Sequence, residues 1–168
     1  MGQAAFSVRH LVRADGPLLR DLRLLALREA PDQFGESVES ALSRSDQEWL
    51  DSAEAAYVAE ADEQPVGMVF AFPDPSERAT GRLGGVWVKP TARNAGVGLA
   101  LVEAGKAWAL AHGMCRVRLW VVPDTAAERL YRRAGFVPTG VQKPFLGHVS
   151  RVVIEMQLEL AAAGAPSA

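Results

Sequence analysis

The apolar residues change their spacing several times along the start of the chain. Residues 6–13 alternate between apolar and polar side chains, which predicts a strand, and residues 15–28 have the spacing of a helix. Residues 30–43 are rich in turn-forming and small polar residues, so we predict an irregular connection there. Ser45 is followed three residues later by Glu48, a pair that forms a capping box and predicts a second, short helix.

Short apolar runs and further helical stretches make up the rest of the chain. Strands are predicted over residues 55–61, 65–72, 83–88, 117–121, 136–141 and 151–160. Helices are predicted over residues 96–112 and 126–134, each followed by a glycine that would end it. The strand, helix and strand over residues 83–121 predict a right-handed parallel crossover, whereas the hairpins predict antiparallel neighbours. The expected fold class is therefore α/β (α+β), with a mixed and mostly antiparallel sheet of about seven strands flanked by about four helices.

Length and charge narrow the function classes. A chain of 168 residues is expected to form one domain over residues 1–168, with flexible ends at residues 1–5 and 161–168. The net charge of -2 and the pI of about 5.9 offer no electrostatic reason to expect a nucleic-acid partner. No run approaches the roughly 20 apolar residues that cross a bilayer, and the N-terminus lacks a signal-peptide core. We therefore expect a cytoplasmic protein with neither a nucleic-acid nor a membrane partner.

Thiol and metal chemistry are limited by composition. Cys115 is the only cysteine, which excludes an intrachain disulfide, and we expect it to be a buried thiol near the start of a strand. The three histidines stand far apart in the sequence and show no metal-ligand spacing. No metal site is predicted.

The clearest chemistry lies between the predicted strand that ends at Val88 and the helix that follows it. Gly96 and Gly98 would let a ligand approach the backbone, and the free N–H groups and dipole at the start of a helix favour an anion. Arg93 would add a charge-assisted contact. A glycine pair before a helix is equally compatible with close packing of that helix on the sheet, so this pattern alone does not decide between the two.

Spacing excludes two other nucleotide motifs. A dinucleotide-binding loop needs a third glycine where this chain has Leu101. A Walker loop is suggested by Gly98 and Gly105, but these glycines stand too far apart, and Ala107 replaces the hydroxyl that would bind magnesium. Neither kind of nucleotide site is predicted.

Two motifs taken together resemble the signatures of the GNAT superfamily of N-acetyltransferases. The first is Arg93-x-x-Gly96-x-Gly98 after a Val-x-Pro strand end, and the second is Asp124-x-x-Ala127-x-x-Leu130-Tyr131-x-x-x-Gly135-Phe136. The resemblance covers residues 6–160, and residues 24–49 are similar to a subgroup of uncharacterised bacterial members. It implies a GNAT-like fold, acetyl-CoA as the co-substrate, an amine of a small molecule or peptide as the acceptor, and a homodimer as a common assembly.

The same resemblance implies which residues bind the coenzyme. They are Val86, Trp87 and Val88 for the pantetheine arm, Arg93, Asn94, Ala95, Gly96, Val97, Gly98 and Leu99 for the pyrophosphate, and Asp124 in place of the family's asparagine near the thioester. Asn94 stands where the family usually has glycine, and asparagine tolerates a left-handed backbone better than most residues. A carboxylate at Asp124 would weaken coenzyme binding unless it is turned away from the thioester.

Tyr131 is the residue that the resemblance implies for catalysis. Attack of an amine on a thioester expels a thiolate with a pKa of about 8.5, and a phenol with a pKa of about 10 still carries its proton at neutral pH. Tyr131 is therefore the predicted proton donor to the departing sulfur. Helical spacing alone gives another interpretation, a core aromatic residue.

A general base is missing from the strand before the loop, because residues 83–88 contain no acid. The candidates elsewhere are Asp32 and Glu36 in the irregular connection, Glu155 on the last strand, or a water molecule. Glu155 belongs to the polar face of its strand, which favours a solvated side chain. A noncatalytic acyl-CoA-binding or regulatory module is the alternative function for a chain without a base.

The acceptor site is expected where variable loops flank the open end of the sheet. These loops are residues 32–49 and 141–150. Phe34, Trp49 and Phe145 are candidates to line the pocket and are equally compatible with the core. Direct transfer is expected rather than an acetyl-cysteine intermediate, because the only cysteine lies at the far end of its strand.

Overall fold

The computed structural model describes residues 5–161, which form one mixed sheet and the helices that cover it. The strands are β1 (Phe6–His10), β2 (Ala56–Ala61), β3 (Gln64–Pro73), β4 (Thr80–Val88), β5 (Arg116–Val121), β6 (Val137–Pro144) and β7 (Val152–Glu159). The α-helices are α1 (Gly16–Glu29), α2 (Val38–Leu42), α3 (Asp46–Ala53), α4 (Val97–Ala111) and α5 (Ala126–Arg133). Residues 1–4 and 162–168, most of the ends expected to be flexible, lie outside the described residues.

The predicted α/β fold class and order of elements are confirmed, with one helix more than expected. α2 lies in the segment whose composition predicts an irregular connection. It forms because Ser37 caps it, accepting a hydrogen bond from the Ser40 N–H at 3.1 Å. The capping box of α3 is confirmed, since Ser45 Oγ accepts from the Glu48 N–H at 3.2 Å and Glu48 Oε2 accepts from the Ser45 N–H at 2.7 Å.

The sheet opens in its middle. Its strand order is β1-β2-β3-β4-β5-β7-β6, and within residues 5–161 the pair β4 and β5 is the parallel one, as the helix between them predicts. The β4–β5 ladder runs only from Thr80 opposite Arg116 to Arg82 opposite Arg118. Beyond that point the backbones of the two strands separate and border a gap.

A β-bulge lies in β4 beside this gap. The pairing with β3 shifts register between Met68 and Phe70, and Gly85 takes a left-handed φ of 59°. A Cβ atom at Gly85 would lie 2.8 Å from the Phe70 ring, so the close approach also requires glycine. The bulge reverses the alternation of side chains between the two faces of the sheet. As a result, Leu83 packs with the α4 side of the core, whereas Trp87, four residues later, packs with the α1 side.

Helices cover both faces of the sheet. α4 buries Leu101 against one face, while α1 and α3 bury Leu19 and Trp49 against the other. Each such side chain stabilises the fold by about 1.5–3 kcal/mol. The middle of α4 lies so close to β4 that a Cβ atom at Gly105 would clash with Leu83 Cδ2, so this glycine allows the helix to pack directly on the strand. No helix within residues 5–161 has the length and apolar character needed to cross a membrane.

Candidate active site

The gap between β4 and β5 opens into a cleft of about 270 Å³. Its walls are the bulge of β4 (residues 83–85), the end of β5 with the residue after it (residues 120–122), residues 33–35 after α1, and the end of β6 with the start of the β6–β7 connection (residues 143–146). Toward its carboxyl end, β4 leads from this cleft to the loop before α4. Residues 86–88 of β4 therefore join the two ends of the site, which are the cleft and the loop before α4.

The loop before α4 has a backbone suited to an anion. Asn94 and Gly96 both have left-handed backbones, with φ of 62° and 85°. No side chain among residues 5–161 caps the first N–H groups of α4, so these groups remain available, and the helix dipole adds positive potential. A Cβ atom at Gly96 would have no atom within 4 Å, which leaves open space over the loop. These features fit a pyrophosphate group.

The two glycines of the loop motif have different roles. Gly96 supplies the left-handed backbone before the helix, whereas Gly98 lies inside the first turn of α4. A Cβ atom at Gly98 would be 3.0 Å from Leu130 Cδ2, so this glycine allows α4 to pack closely on α5. Gly98 thus fits the interpretation as helix packing, whereas the left-handed backbone and open space at Gly96 suit the approach of a ligand.

Arg93 does not point its charge at the start of α4. Its Nη2 donates to Glu29 Oε2 at 2.8 Å, and its Nε donates to the Val88 carbonyl at 2.9 Å. Glu29 Oε2 also accepts from Trp87 Nε1 at 2.9 Å. Arg93 thus anchors the loop to the end of β4 and to the last residue of α1. Its expected charge-assisted contact with a phosphate stays a prediction. Glu29 has no local sequence signal, because it lies 64 residues before Arg93.

The predicted arm residues at the end of β4 face in different directions. Val86 and Val88 pack against the α4 side of the core, whereas the Trp87 side chain is 4% exposed and packs on the α1 side. The Trp87 side chain is thus turned away from α4, and its contribution to an arm site is limited to its backbone. The Val88 carbonyl is already bonded to Arg93.

Tyr131 lies on α5 within the core beside α4. It is 6% exposed, and its ring meets Phe136 edge to face with 6.1 Å between centroids. Burial raises the pKa of the Tyr131 phenol well above its usual range. The residue is therefore a core aromatic as helical spacing predicts, and its phenol keeps its proton, as a proton donor must.

Asp124 begins the segment that leads into α5. Its backbone is left-handed, with φ of 63°, and its N–H donates to Glu128 Oε2 at 2.7 Å. Thr125 then caps the helix by accepting from the Glu128 N–H. This backbone hydrogen bond from Asp124 is the main cause that lowers the pKa of the Glu128 carboxyl, ahead of Arg132. Asp124 is exposed, so its carboxylate is hydrated.

The three candidate bases are all paired with cations. The Asp32 side chain is 72% exposed, 3.7 Å from Arg151, and Glu36 accepts from Arg23 Nε at 3.0 Å. Glu155 is 5% exposed and accepts from Arg82 Nη2 at 2.8 Å. The expectation of a solvated Glu155 is therefore wrong. Cations from β4 and β5 cover that face of β7, which the alternation of a single strand cannot reveal.

The aromatic candidates for the cleft divide in two. Phe34 and Phe145 line the cleft, whereas Trp49 is 1% exposed and lies in the core beneath α1.

Cys115 is exposed, so the expectation of a buried thiol is wrong. It precedes β5, at the opposite end of that strand from the cleft, so it does not act as a nucleophile there. Within residues 5–161 no cluster of His, Cys, Asp or Glu could hold a metal ion.

The sequence and the fold match those of known proteins. A family model described as "Acetyltransferase (GNAT) family" matches residues 19–136. A GNAT-family acetyltransferase from Streptococcus pneumoniae superposes with a TM-score of 0.76 at 22% identity, covering 94% of this chain and 100% of that one. Ribosomal-protein-alanine N-acetyltransferase from Brucella melitensis gives a TM-score of 0.73 at 25% identity, covering 92% of this chain and 99% of that one.

A further structure carries the coenzyme. It is yncA from Salmonella typhimurium, solved with its cofactor acetyl-CoA, with a TM-score of 0.74 at 22% identity, covering 98% of this chain and 99% of that one. No functionally curated protein matches the sequence. The fold and the coenzyme therefore rest on the family model and on solved structures.

Proposed function

Because this chain belongs to the acetyltransferase (GNAT) family, whose co-substrate is acetyl-CoA, we propose that it transfers an acetyl group directly to a primary amine of a small molecule or peptide. The observation that carries the proposal is the gap between β4 and β5. It joins the loop before α4, which is suited to an anion, to a partly open cleft large enough for a small amine. A thioester lying along residues 86–88 would present its carbonyl to that cleft.

The chain's own groups hold the coenzyme at the loop. The N–H groups of Ala95, Gly96, Val97 and Leu99 are offered to the pyrophosphate by the left-handed turns and by the start of α4. Arg93 acts indirectly, since it anchors the loop to Glu29. This anchoring keeps the loop in one conformation before the coenzyme arrives, which lowers the cost of ordering it.

Tyr131 completes the transfer. The amine nitrogen attacks the thioester carbonyl, the new C–N bond forms, and the C–S bond breaks with the electron pair leaving on sulfur. Tyr131 donates a hydrogen bond and a proton to that thiolate. Burial raises the pKa of its phenol, which keeps the phenol protonated through neutral and mildly alkaline pH and also makes it a weaker acid. The proton released by the amine restores the phenol through solvent.

Water is the proposed acceptor of the amine's first proton. The cleft-lining residues within 5–161 include no aspartate or glutamate, and Glu36 and Glu155 are held by arginines. A free amine with a pKa of about 10.4 is mostly protonated at neutral pH, so the rate should rise with pH as the neutral form increases. The same lack of an acid supports the second candidate function, a noncatalytic acyl-CoA-binding module.

The test is acetyl transfer to a defined panel of acceptors. Purified protein is incubated with acetyl-CoA and pooled amino acids, short peptides, polyamines and aminoglycosides, and mass spectrometry detects acetylated products against an enzyme-free control. A product that requires the protein supports the enzyme. Acetyl-CoA binding by calorimetry without any product supports the noncatalytic module, and no binding at all contradicts the site at residues 93–98.

A further inference from the structure

The cleft has an unusual charge for a site that accepts amines. Its lining residues within 5–161 include the cations Arg23 and Lys143 and no acid. A protonated amine entering between two cations is repelled, and the low dielectric of a cleft strengthens that repulsion. An acceptor suited to this cleft must therefore bring negative charge of its own.

Arg23 is the more constrained of the two cations. It belongs to α1, is 9% exposed, and its guanidinium lies over the Phe34 ring at 4.7 Å and near the Phe70 ring at 5.8 Å. The missing Cβ of Gly85 makes room for it, since that atom would lie 3.1 Å from Arg23 Nη1. The bulge of β4 and two aromatic rings therefore hold the guanidinium against the wall of the cleft.

The hydrogen bonds of Arg23 are incomplete. Its Nε donates to Glu36, but its buried Nη1 has no hydrogen-bond partner among residues 5–161. Glu36 also lies 3.9 Å from Arg44, so one carboxylate faces two guanidiniums. This group keeps a net positive charge, and an unpaired buried donor is a position at which a ligand acceptor is favoured.

Lys143 stands across the cleft from this group. Its Nζ lies 4.1 Å from the centroid of the Trp120 ring, and the residue is exposed. A flexible, hydrated ammonium contributes less to recognition than a guanidinium already held in place. We therefore assign the specific contact to Arg23 and a supporting attraction to Lys143.

We propose that Arg23 recognises a carboxylate of the acceptor, so that the preferred substrates are small amines that carry a carboxylate. The inference rests on the proposed function, since it names the substrate class of the same site. The cleft volume of about 270 Å³ is slightly below the range of about 300 to 1,000 Å³ that is usual for ligand pockets, and it favours a molecule the size of an amino acid.

The experiment compares acceptors with and without a carboxylate, with rates expressed per concentration of the neutral amine, because amidation also lowers the pKa of the α-amine. Alanine is paired with alaninamide, and glutamate with its α-amide, which keeps the side-chain carboxylate; a short peptide amide supplies an amine without a nearby carboxylate. We expect kcat/KM to favour each α-carboxylate over its amide by about tenfold or more, mainly through KM. If the α-amide of glutamate is acetylated as well as glutamate, the side-chain carboxylate is the group recognised.

Substitutions then locate that preference. Arg23→Met should abolish it and Arg23→Lys should keep part of it, because lysine retains the charge without the planar donors. Arg44→Met is the matched control, since Arg44 faces the same Glu36 but stacks on Trp49 at 4.0 Å and does not line the cleft. Thermal unfolding and acetyl-CoA titration of each variant establish that the fold and the coenzyme site survive.

The outcomes separate this inference from the function on which it rests. Equal acetylation of acids and amides by the unsubstituted protein, or the same preference in Arg23→Met, would overturn the role of Arg23 while leaving the enzyme in place. If no acceptor is acetylated although acetyl-CoA binds, calorimetry of alanine, glutamate and their amides on the coenzyme-loaded protein decides. Binding of the acids that is lost in Arg23→Met would support the site, and no binding would overturn it.

Discussion

Arg93 and Arg23 lie at the two ends of the site, and their environments are opposite. The Arg93 side chain is 44% exposed, yet its Nε and Nη2 both bond to protein atoms. Arg23 is 9% exposed, yet its Nη1 has no partner within residues 5–161. An exposed arginine whose donors are used holds the backbone in place, whereas a buried arginine with an unused donor is suited to a ligand. We therefore expect Arg93, the arginine of the loop motif, to anchor the loop and Arg23, the buried one, to contact the acceptor.

The two carboxylates beside these arginines repeat the contrast. Glu29 Oε2 accepts from both Arg93 and Trp87, so one acid ties the loop and the strand to α1. Glu36 is shared between Arg23 and Arg44, so one acid leaves the acceptor end with positive charge. We expect variants at the coenzyme end to change acetyl-CoA affinity and variants at the acceptor end to change acceptor choice.

The largest expected effect is a loss of turnover at a residue that should not change the affinity for acetyl-CoA or for the acceptor. Tyr131→Phe should lower turnover about tenfold or more, with acetyl-CoA affinity near normal, because only the proton on the phenol is removed. Steady-state kinetics and calorimetric titration measure the two quantities. Tyr57→Phe, the only other tyrosine, is the matched control, and an unchanged rate in Tyr131→Phe would remove the phenol from the mechanism.

Next in size is the backbone of the coenzyme loop. Gly96→Ala should weaken acetyl-CoA binding about tenfold, because a left-handed alanine costs about 1–2 kcal/mol and the bound loop cannot relax to avoid it. Gly113→Ala is the matched control, since Gly113 also has a left-handed φ, of 71°, with no atom within 4 Å of its Cβ position, but follows the other end of α4. Gly113→Ala should lower the free energy of unfolding without changing the affinity for acetyl-CoA. Equal losses of affinity in the two variants would mean that Gly96→Ala acts through the stability of the fold and not through the loop.

A smaller effect tests whether Arg93 acts only through Glu29. Arg93→Met should weaken acetyl-CoA binding about two- to fivefold, and it should add little once Glu29→Gln is present, because an exposed ion pair is worth at most about 1 kcal/mol. Calorimetry on the four proteins of this double-mutant cycle measures the coupling. Lys89→Met, which removes a nearby cation and leaves the bridge intact, controls for charge. If the losses of acetyl-CoA binding energy in Arg93→Met and Glu29→Gln add fully in the double variant, Arg93 contacts the phosphate directly. Arg93 would then be a ligand-binding arginine, as proposed for Arg23, and not an anchor.

The smallest effect is a dependence of stability on pH. Burial raises the pKa of the Tyr131 phenol in the folded protein, so as pH rises the unfolded chain loses this proton before the folded protein does. The protonated phenol therefore contributes fully to the free energy of unfolding below a pH of about 10, and this contribution is lost as pH rises further. The free energy of unfolding of the native protein should therefore decline more steeply above that pH than that of Tyr131→Phe. Urea unfolding at a series of alkaline pH values measures the difference, and parallel curves would contradict the burial of the phenol.

Local patterns predicted the elements well where a side chain acts on its own neighbourhood. The capping box of Ser45 and Glu48 and the strand–helix–strand crossover both follow from residues close in sequence. The bulge of β4 also had a local signal, the pair Gly84-Gly85 inside a strand pattern, which is typical of a bulge. Without that bulge, strict alternation places Trp87 on the same face as Leu83, and the direction of its side chain is predicted wrongly.

The sequence by itself therefore determined the order of elements, the family, and the loop whose backbone suits a pyrophosphate, because each depends on spacing within a short segment. Only the tertiary structure decided the partners of the charged groups. Glu29 meets Arg93 across 64 residues, and Glu155 meets Arg82 across 73. The elements that pack against a charged side chain decide whether it anchors the fold, is neutralised, or stays free to bind a ligand. These elements are distant in sequence, so the periodicity of the residue's own strand or helix does not predict them.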